Sequence, residues 1–166
     1  MLSIRTLEPK HEACYRALWL CALTKQSEFF RTAAEDESVP TIPTCFTRDS
    51  FTLGAFIESR LVGIASLDRD KGAKLRHKAL LSRMFVHPCA AGQGLGKMLL
   101  REVITLAHAI DDLQQIHLTV LANNRRARAL YGAMGFQDFA LEPRAVRIVH
   151  RYVDEVQMVL FLHRDP

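Results

Sequence analysis

Residues 82–97, SRMFVHPCAAGQGLGK, restrict the fold more tightly than any other part of the chain. An apolar run with strand character (Ala79, Leu80, Leu81, Met84, Phe85, Val86) stops at His87-Pro88. Small residues follow from Cys89 to Gly96, and a long amphipathic segment begins there. Strand, glycine-rich loop and helix in this order aim bare backbone N–H groups at an anion, usually a phosphate. Two common owners of such a loop fail on detail. Gly96-Lys97 is followed by Met98, so no hydroxyl stands ready for Mg²⁺ as in a Walker loop. A dinucleotide fingerprint belongs after a first strand, whereas this loop follows a fourth.

The flanking sequence places the loop in one α/β domain, taken as residues 1–166. Ser3–Leu7 reads as a first strand closed by Pro9. His11–Leu23 repeats Cys14, Leu18, Cys21 and Ala22 at helical spacing. Residues 24–50 are polar and uneven, with Glu35-Asp36-Glu37, Pro40 and Pro43, and read as a short helix plus a loop. This stretch either faces substrate or merely connects. Phe51–Ile57 and Leu61–Leu67 form a hairpin, and the next strand runs from about His77 to Val86. A helix from Gly94 to about Ile110 carries Leu95, Leu99, Val103, Leu106 and Ile110 on one stripe. Ile116–Ala122 follows as a strand, which implies a right-handed parallel crossover. Asn124–Met134 is a shorter helix, capped by Asn124 and ended at Gly135. Phe136–Leu141 and Tyr152–Leu162 are the last strands, around a basic loop holding Arg144, Arg147 and His150.

Composition narrows the function classes. A formal charge of +4 favours anionic ligands weakly, without the dense basic stripe or interleaved aromatics of a nucleic-acid binder. The early apolar run 17–23 is far too short to span a bilayer and lacks a signal-peptide layout, so a cytoplasmic protein with no membrane partner is expected. The four cysteines (Cys14, Cys21, Cys45, Cys89) show no paired spacing, which argues for free thiols and against a metal site.

The second motif is VLANNRRARALYGAMGF, residues 120–136, which places Asn124, Ala127, Tyr131 and Met134 along one helix face. Taken together, V-H-P-x-x-x-G-Q-G-L-G-K and N-x-x-A-x-x-L-Y-x-x-x-G-F resemble the GNAT superfamily of acyl-CoA-dependent N-acetyltransferases. The order of strands and helices resembles that family over nearly the whole chain. The resemblance implies a mixed sheet of six to seven strands, splayed between the fourth and fifth, with helices on both faces. It further implies that backbone groups of Met84, Phe85 and Val86 hold the pantetheine arm of acetyl-CoA. The loop Ala91, Gly92, Gln93, Gly94, Leu95, Gly96 and Lys97 would receive the pyrophosphate. Asn124 would contact the cosubstrate, and Tyr131 would act as general acid. A phenol near pKa ~10 can protonate a leaving thiolate whose acid lies near ~8.5 when the two are in hydrogen-bond reach. The N–H of Val86 is the expected stabiliser of charge on the thioester carbonyl.

The chain departs from the family in two places. Ala91 stands where relatives often carry Gln or Arg. Leu80 and Thr119 stand where relatives hold catalytic carboxylates, and neither can act as a base. His117 shares a strand face with Thr119 and is the expected proton acceptor, unless it is a structural strand histidine. Asp154 and Glu155 are further candidates, or else a polar start to the last strand. Cys89 has no evident paired base, and direct transfer needs no covalent intermediate. The expected activity is acetyl transfer from acetyl-CoA to a primary amine, either a small molecule or a protein amine, without metal. The missing carboxylates motivate an alternative, a catalytically weak acyl-CoA-binding sensor. A homodimer through the last strands is the family analogy.

Overall fold

The computed structural model describes residues 1–162; the last four residues of the expected domain lie outside them. The strands β1 (Leu2–Thr6), β2 (Ser50–Ile57), β3 (Arg60–Arg69) and β4 (Lys78–Val86) each run antiparallel to the one before; β2 and β3, joined by the tight turn Glu58-Ser59, are buried along almost their whole length. Between β1 and β2 runs α1 (Glu12–Lys25). The glycine loop then leads into α2 (Leu95–His108), β5 (Gln115–Leu121), α3 (Arg125–Ala133), β6 (Gln137–Ile148) and β7 (Arg151–Phe161). All seven strands join one mixed sheet in the order β1-β2-β3-β4-β5-β7-β6, and the β4–β5 pair is parallel. The expected architecture is therefore present.

Two apolar clusters sandwich the sheet. Leu99, Leu100, Val103 and Ala107 of α2 pack on Phe51, Leu53, Leu67 and Leu81. Tyr15, Leu18, Trp19 and Leu23 of α1 pack on Leu7, Phe56, Ile64 and Phe85. Leu81 and Phe85 belong to different clusters although four residues apart, where strict alternation would put them on one face. The cause is an irregularity in β4. Ile64 pairs with Phe85 and Ser66 with Ser82, so Arg83 and Met84 together oppose Ala65, and Arg83 takes a left-handed φ of 55°. Such a bulge bends its strand. β4 pairs with β5 only through Lys78–Gln115, Ala79–Ile116 and Leu80–His117, and the two strands then part.

Two local readings are corrected. Of residues 24–50, the first two end α1 and the last begins β2; between them there is no second α-helix, only 3-10 turns at Ser27–Phe29 and Ala34–Asp36. The segment has no apolar stripe; single contacts tie it to α1 instead. Trp19 Nε1 donates to Glu37 Oε2 at 3.0 Å, Arg16 Nε to the Pro40 carbonyl at 3.2 Å, and the Ile42 N–H to Glu12 Oε1 at 3.0 Å. The expected basic loop after Leu141 is also largely strand: β6 continues through Arg144 and Arg147, and only Val149-His150 turns. Pro143 is tolerated because β6 is an edge strand whose register shifts between Glu142 and Val146.

Gly54 marks the tightest point of the core. A Cβ there would sit 2.5 Å from Leu7 Cδ2, 2.7 Å from Leu61 Cδ1 and 2.9 Å from Phe56 Cε2, all in buried side chains. Gly54→Ala is therefore expected to destabilise the fold by about 1–3 kcal/mol through overpacking. A denaturant midpoint equal to that of the unmodified chain would contradict this.

Candidate active site

Where β4 and β5 part, backbone groups that face one another across the gap lose their sheet partners. The gap widens into a cleft of about 710 Å³ between the β4 end, the β5 end, the glycine loop and α3. Met84, Phe85 and Val86 line one wall, and Asn124 and Tyr131 the other. Ala91, Gly92, Gly94, Leu95, Gly96 and Lys97 close one end. Eleven of the expected site residues thus share one cavity, while Gln93 and His117 are not among those lining it.

Backbone chemistry shapes the loop end. Gly94 caps α2 with a left-handed φ of 74°, and a Cβ there would meet nothing within 4 Å, so the glycine answers a backbone demand and not crowding. The first helical bond runs from the Met98 N–H to the Gly94 carbonyl at 3.1 Å. The N–H groups of Leu95, Gly96 and Lys97 precede it and have no carbonyl to reach within the helix. These three residues line the cleft end, at the positive pole of α2. On the other wall, the Asn124 Oδ1 accepts the Ala127 N–H at 3.1 Å, which starts α3. The Tyr131 side chain is buried beside Phe136, with ring centroids 5.8 Å apart. Burial pushes its phenol well above the ordinary tyrosine value, so it stays protonated at neutral pH.

His117 occupies the last rung of the β4–β5 pairing, opposite Leu80, on the paired side of the split. Its Nε2 lies 2.7 Å from Gln115 Oε1, and its ring meets Phe139 edge-on at 5.5 Å. Burial first, then Lys78 and His77, lowers its pKa. Leu80 and Thr119, the positions without carboxylates, do line the cleft. A carboxylate reaches it from elsewhere. Glu155 of β7 sits opposite Leu121 in the register and is 2% exposed. Sequence alone could not choose between it and Asp154. The structure separates them: Asp154 Oδ1 accepts the Arg144 N–H at 2.7 Å, whereas Glu155 turns into the cleft. Phe29, Phe30, Arg31 and Thr32 complete that end, so the irregular segment after α1 contributes a wall. Among the described residues, no cluster of His, Cys, Asp or Glu could hold a metal ion, and no helix is long and apolar enough to cross a membrane.

The acetyltransferase (GNAT) family profile matches residues 11–136. The chain belongs to the GNAT family. N-alpha-acetyltransferase RimI of Mycobacterium tuberculosis is 31% identical to it over 114 residues, 66% of this chain and 69% of that protein. A GNAT-family acetyltransferase from Streptococcus pneumoniae superposes with a TM-score of 0.83 at 25% identity, covering 97% of this chain and 99% of that one. A Salmonella typhimurium protein solved with its cofactor acetyl-CoA gives a TM-score of 0.82 at 18% identity, covering 100% and 96%. The cleft of this GNAT chain fits such a molecule chemically. The unpaired edges of β4 and β5 suit the amides of a pantetheine arm, and the bare N–H groups of Leu95 to Lys97 suit a pyrophosphate.

Asn124→Ala removes the only side-chain cap of α3 among the described hydrogen bonds. Stability should fall by about 1 kcal/mol, within the usual ~0.5–2 kcal/mol for a lost N-cap. Thermal and denaturant midpoints measured without ligand would check this, and unchanged midpoints would assign Asn124 no capping role.

Proposed function

We propose that the chain is an N-acetyltransferase that moves an acetyl group from acetyl-CoA to a primary amine by direct attack. The observation that carries this reading is that Tyr131 and the anion-seeking loop line one cleft between parted strands. Backbone groups of Met84, Phe85 and Val86 would bind the pantetheine arm. The loop from Ala91 through Gly92, Gln93, Gly94, Leu95 and Gly96 to Lys97 would seat the pyrophosphate, and Asn124 would contact the cosubstrate. The similarity to a protein named N-alpha-acetyltransferase and to one solved with acetyl-CoA supports both donor and acceptor class.

Physical chemistry gives each group its task. An amine attacks only when neutral, and the thioester oxygen gains negative charge as it does. An N–H at the free end of β4, that of Val86, can stabilise this charge. Because burial keeps Tyr131 protonated, its phenol is available to the departing thiolate throughout the neutral range. The weak-sensor alternative was motivated by the missing carboxylates at Leu80 and Thr119; Glu155 supplies a carboxylate to the same cleft from β7, which weighs against it.

Thiol release from acetyl-CoA against a panel of primary amines, including a short peptide with a free N-terminal alanine, tests the reading. Tyr131→Phe should lower kcat by about 10²–10⁴-fold while acetyl-CoA affinity holds. Undiminished kcat would remove Tyr131 from the chemistry. Tight acetyl-CoA binding without turnover on any amine would favour the sensor.

A further inference from the structure

We propose that the Glu155 carboxylate receives the proton that the incoming amine must lose, with the Arg31 guanidinium as its partner until the ammonium takes that place. This rests on the acetyl-transfer reading above. Three observations converge on it. Glu155 lines the cleft, and its Oε2 is buried with no hydrogen-bond partner among the described residues. Such an orphaned carboxylate oxygen is costly unless a ligand supplies the missing donor. Its Oε1 has a single ionic partner, Arg31 Nε, at a stretched 3.6 Å, and the Arg31 side chain is 62% exposed. The contact is long and its guanidinium lies mostly in water while Glu155 is buried, so a substrate ammonium that reaches Glu155 can take the guanidinium's place without leaving the carboxylate unpaired. The other acid and base near this end satisfy each other, since Arg83 Nη1 and Glu37 Oε1 are 2.7 Å apart. Glu155 is left as the cleft's available proton acceptor, in place of the residues missing at Leu80 and Thr119.

The charges around it set its titration. Arg31 faces it from the segment after α1, and Glu142 from β6, its register partner. β5 presents Leu121, and α3 brings Tyr131 and the cationic Arg126 to the same cleft. Burial raises the Glu155 pKa, Glu142 adds to the rise, and Arg31 opposes both. In the reaction, an ammonium N–H proton passes to Glu155 and the freed nitrogen pair forms the C–N bond. The C–S bond breaks with its electrons on sulfur, and the Tyr131 phenol proton passes to the thiolate. The second proton on nitrogen restores the phenol, and Glu155 releases its proton to water. One proton is set free per acetyl transferred.

The test is the pH profile of kcat/KM, with acetyl-CoA as donor and the alanine peptide or the fastest amine of the panel as acceptor. The unmodified chain should lose activity on the acid side with an apparent pKa above the ordinary glutamate range. Glu155→Gln should fall by about 10²–10⁴-fold near neutrality and recover as rising pH deprotonates the amine itself. Arg31→Gln should move the acid limb to higher pH, because the charge that opposed the rise is gone. Calorimetric acetyl-CoA affinity within twofold in both variants separates a chemical effect from a folding one. An E155Q profile parallel to that of the unmodified chain overturns the role of Glu155 alone. If that variant does not fold, an unshifted limb in R31Q overturns it. An unmodified chain that binds acetyl-CoA and turns over no amine overturns the transfer reading itself.

Discussion

The site depends on the break in pairing between β4 and β5. Two residues, Arg83 and Met84, face one on β3, and the extra residue turns the end of β4 away from β5 after three paired positions. A left-handed backbone at a residue with a Cβ costs about 1–2 kcal/mol, so something must hold Arg83 there. Its guanidinium bonds to Glu37 at 2.7 Å, reaches Tyr15 Oη at 3.4 Å and stacks 4.5 Å from the Trp19 ring centroid. The strain of the bend is thus offset by contacts to α1 and to the segment beyond it. The open strand edges that result are a liability in a sheet without a ligand and an asset in one that binds amides.

Function and stability pull against each other at Glu155. Its folded-state pKa is raised, so the stabilising contribution of this group is complete below the unfolded glutamate pKa and is lost as pH rises through the folded one. Above that folded-state pKa the fold carries a buried, half-satisfied carboxylate that a purely structural core would replace. Tyr131 is buried too, but its neutral phenol bears no such penalty near neutrality. Strain and desolvation cluster at one cleft while the α1 and α2 packing around it is apolar and dense, as expected when local rules are broken only where chemistry needs it.

Where the chain's demands are local, sequence reveals them. Gly94 and Gly135 need a positive φ, and Asn124 caps its own helix within three residues, so the loop and α3 could be read directly. The apolar stripes likewise located both long helices and most strands. What escaped was decided at a distance. Nothing near Pro143 in the chain says that β6 lies on an edge where a proline is harmless. Residues 24–50 take their shape from Arg16 and Trp19 and not from their own periodicity. His117 lies two residues from Thr119, and Glu155 stands next to Asp154 in the last strand. Only the strand order, with β7 inserted between β5 and β6, turns the glutamate inward at the split and leaves the histidine on the paired side.

The Arg83–Glu37 bond couples two distant parts of the chain. Glu37 follows the irregular stretch that supplies Phe29 to Thr32 to one end of the cleft, yet it also anchors the residue that bends β4. Substitutions at residues 26–32 leave that anchor in place, whereas a change at Glu37 frees Arg83 from its ion-pair partner. One wall of the cleft can thus be rebuilt, but only around a fixed pin that it shares with the bent strand.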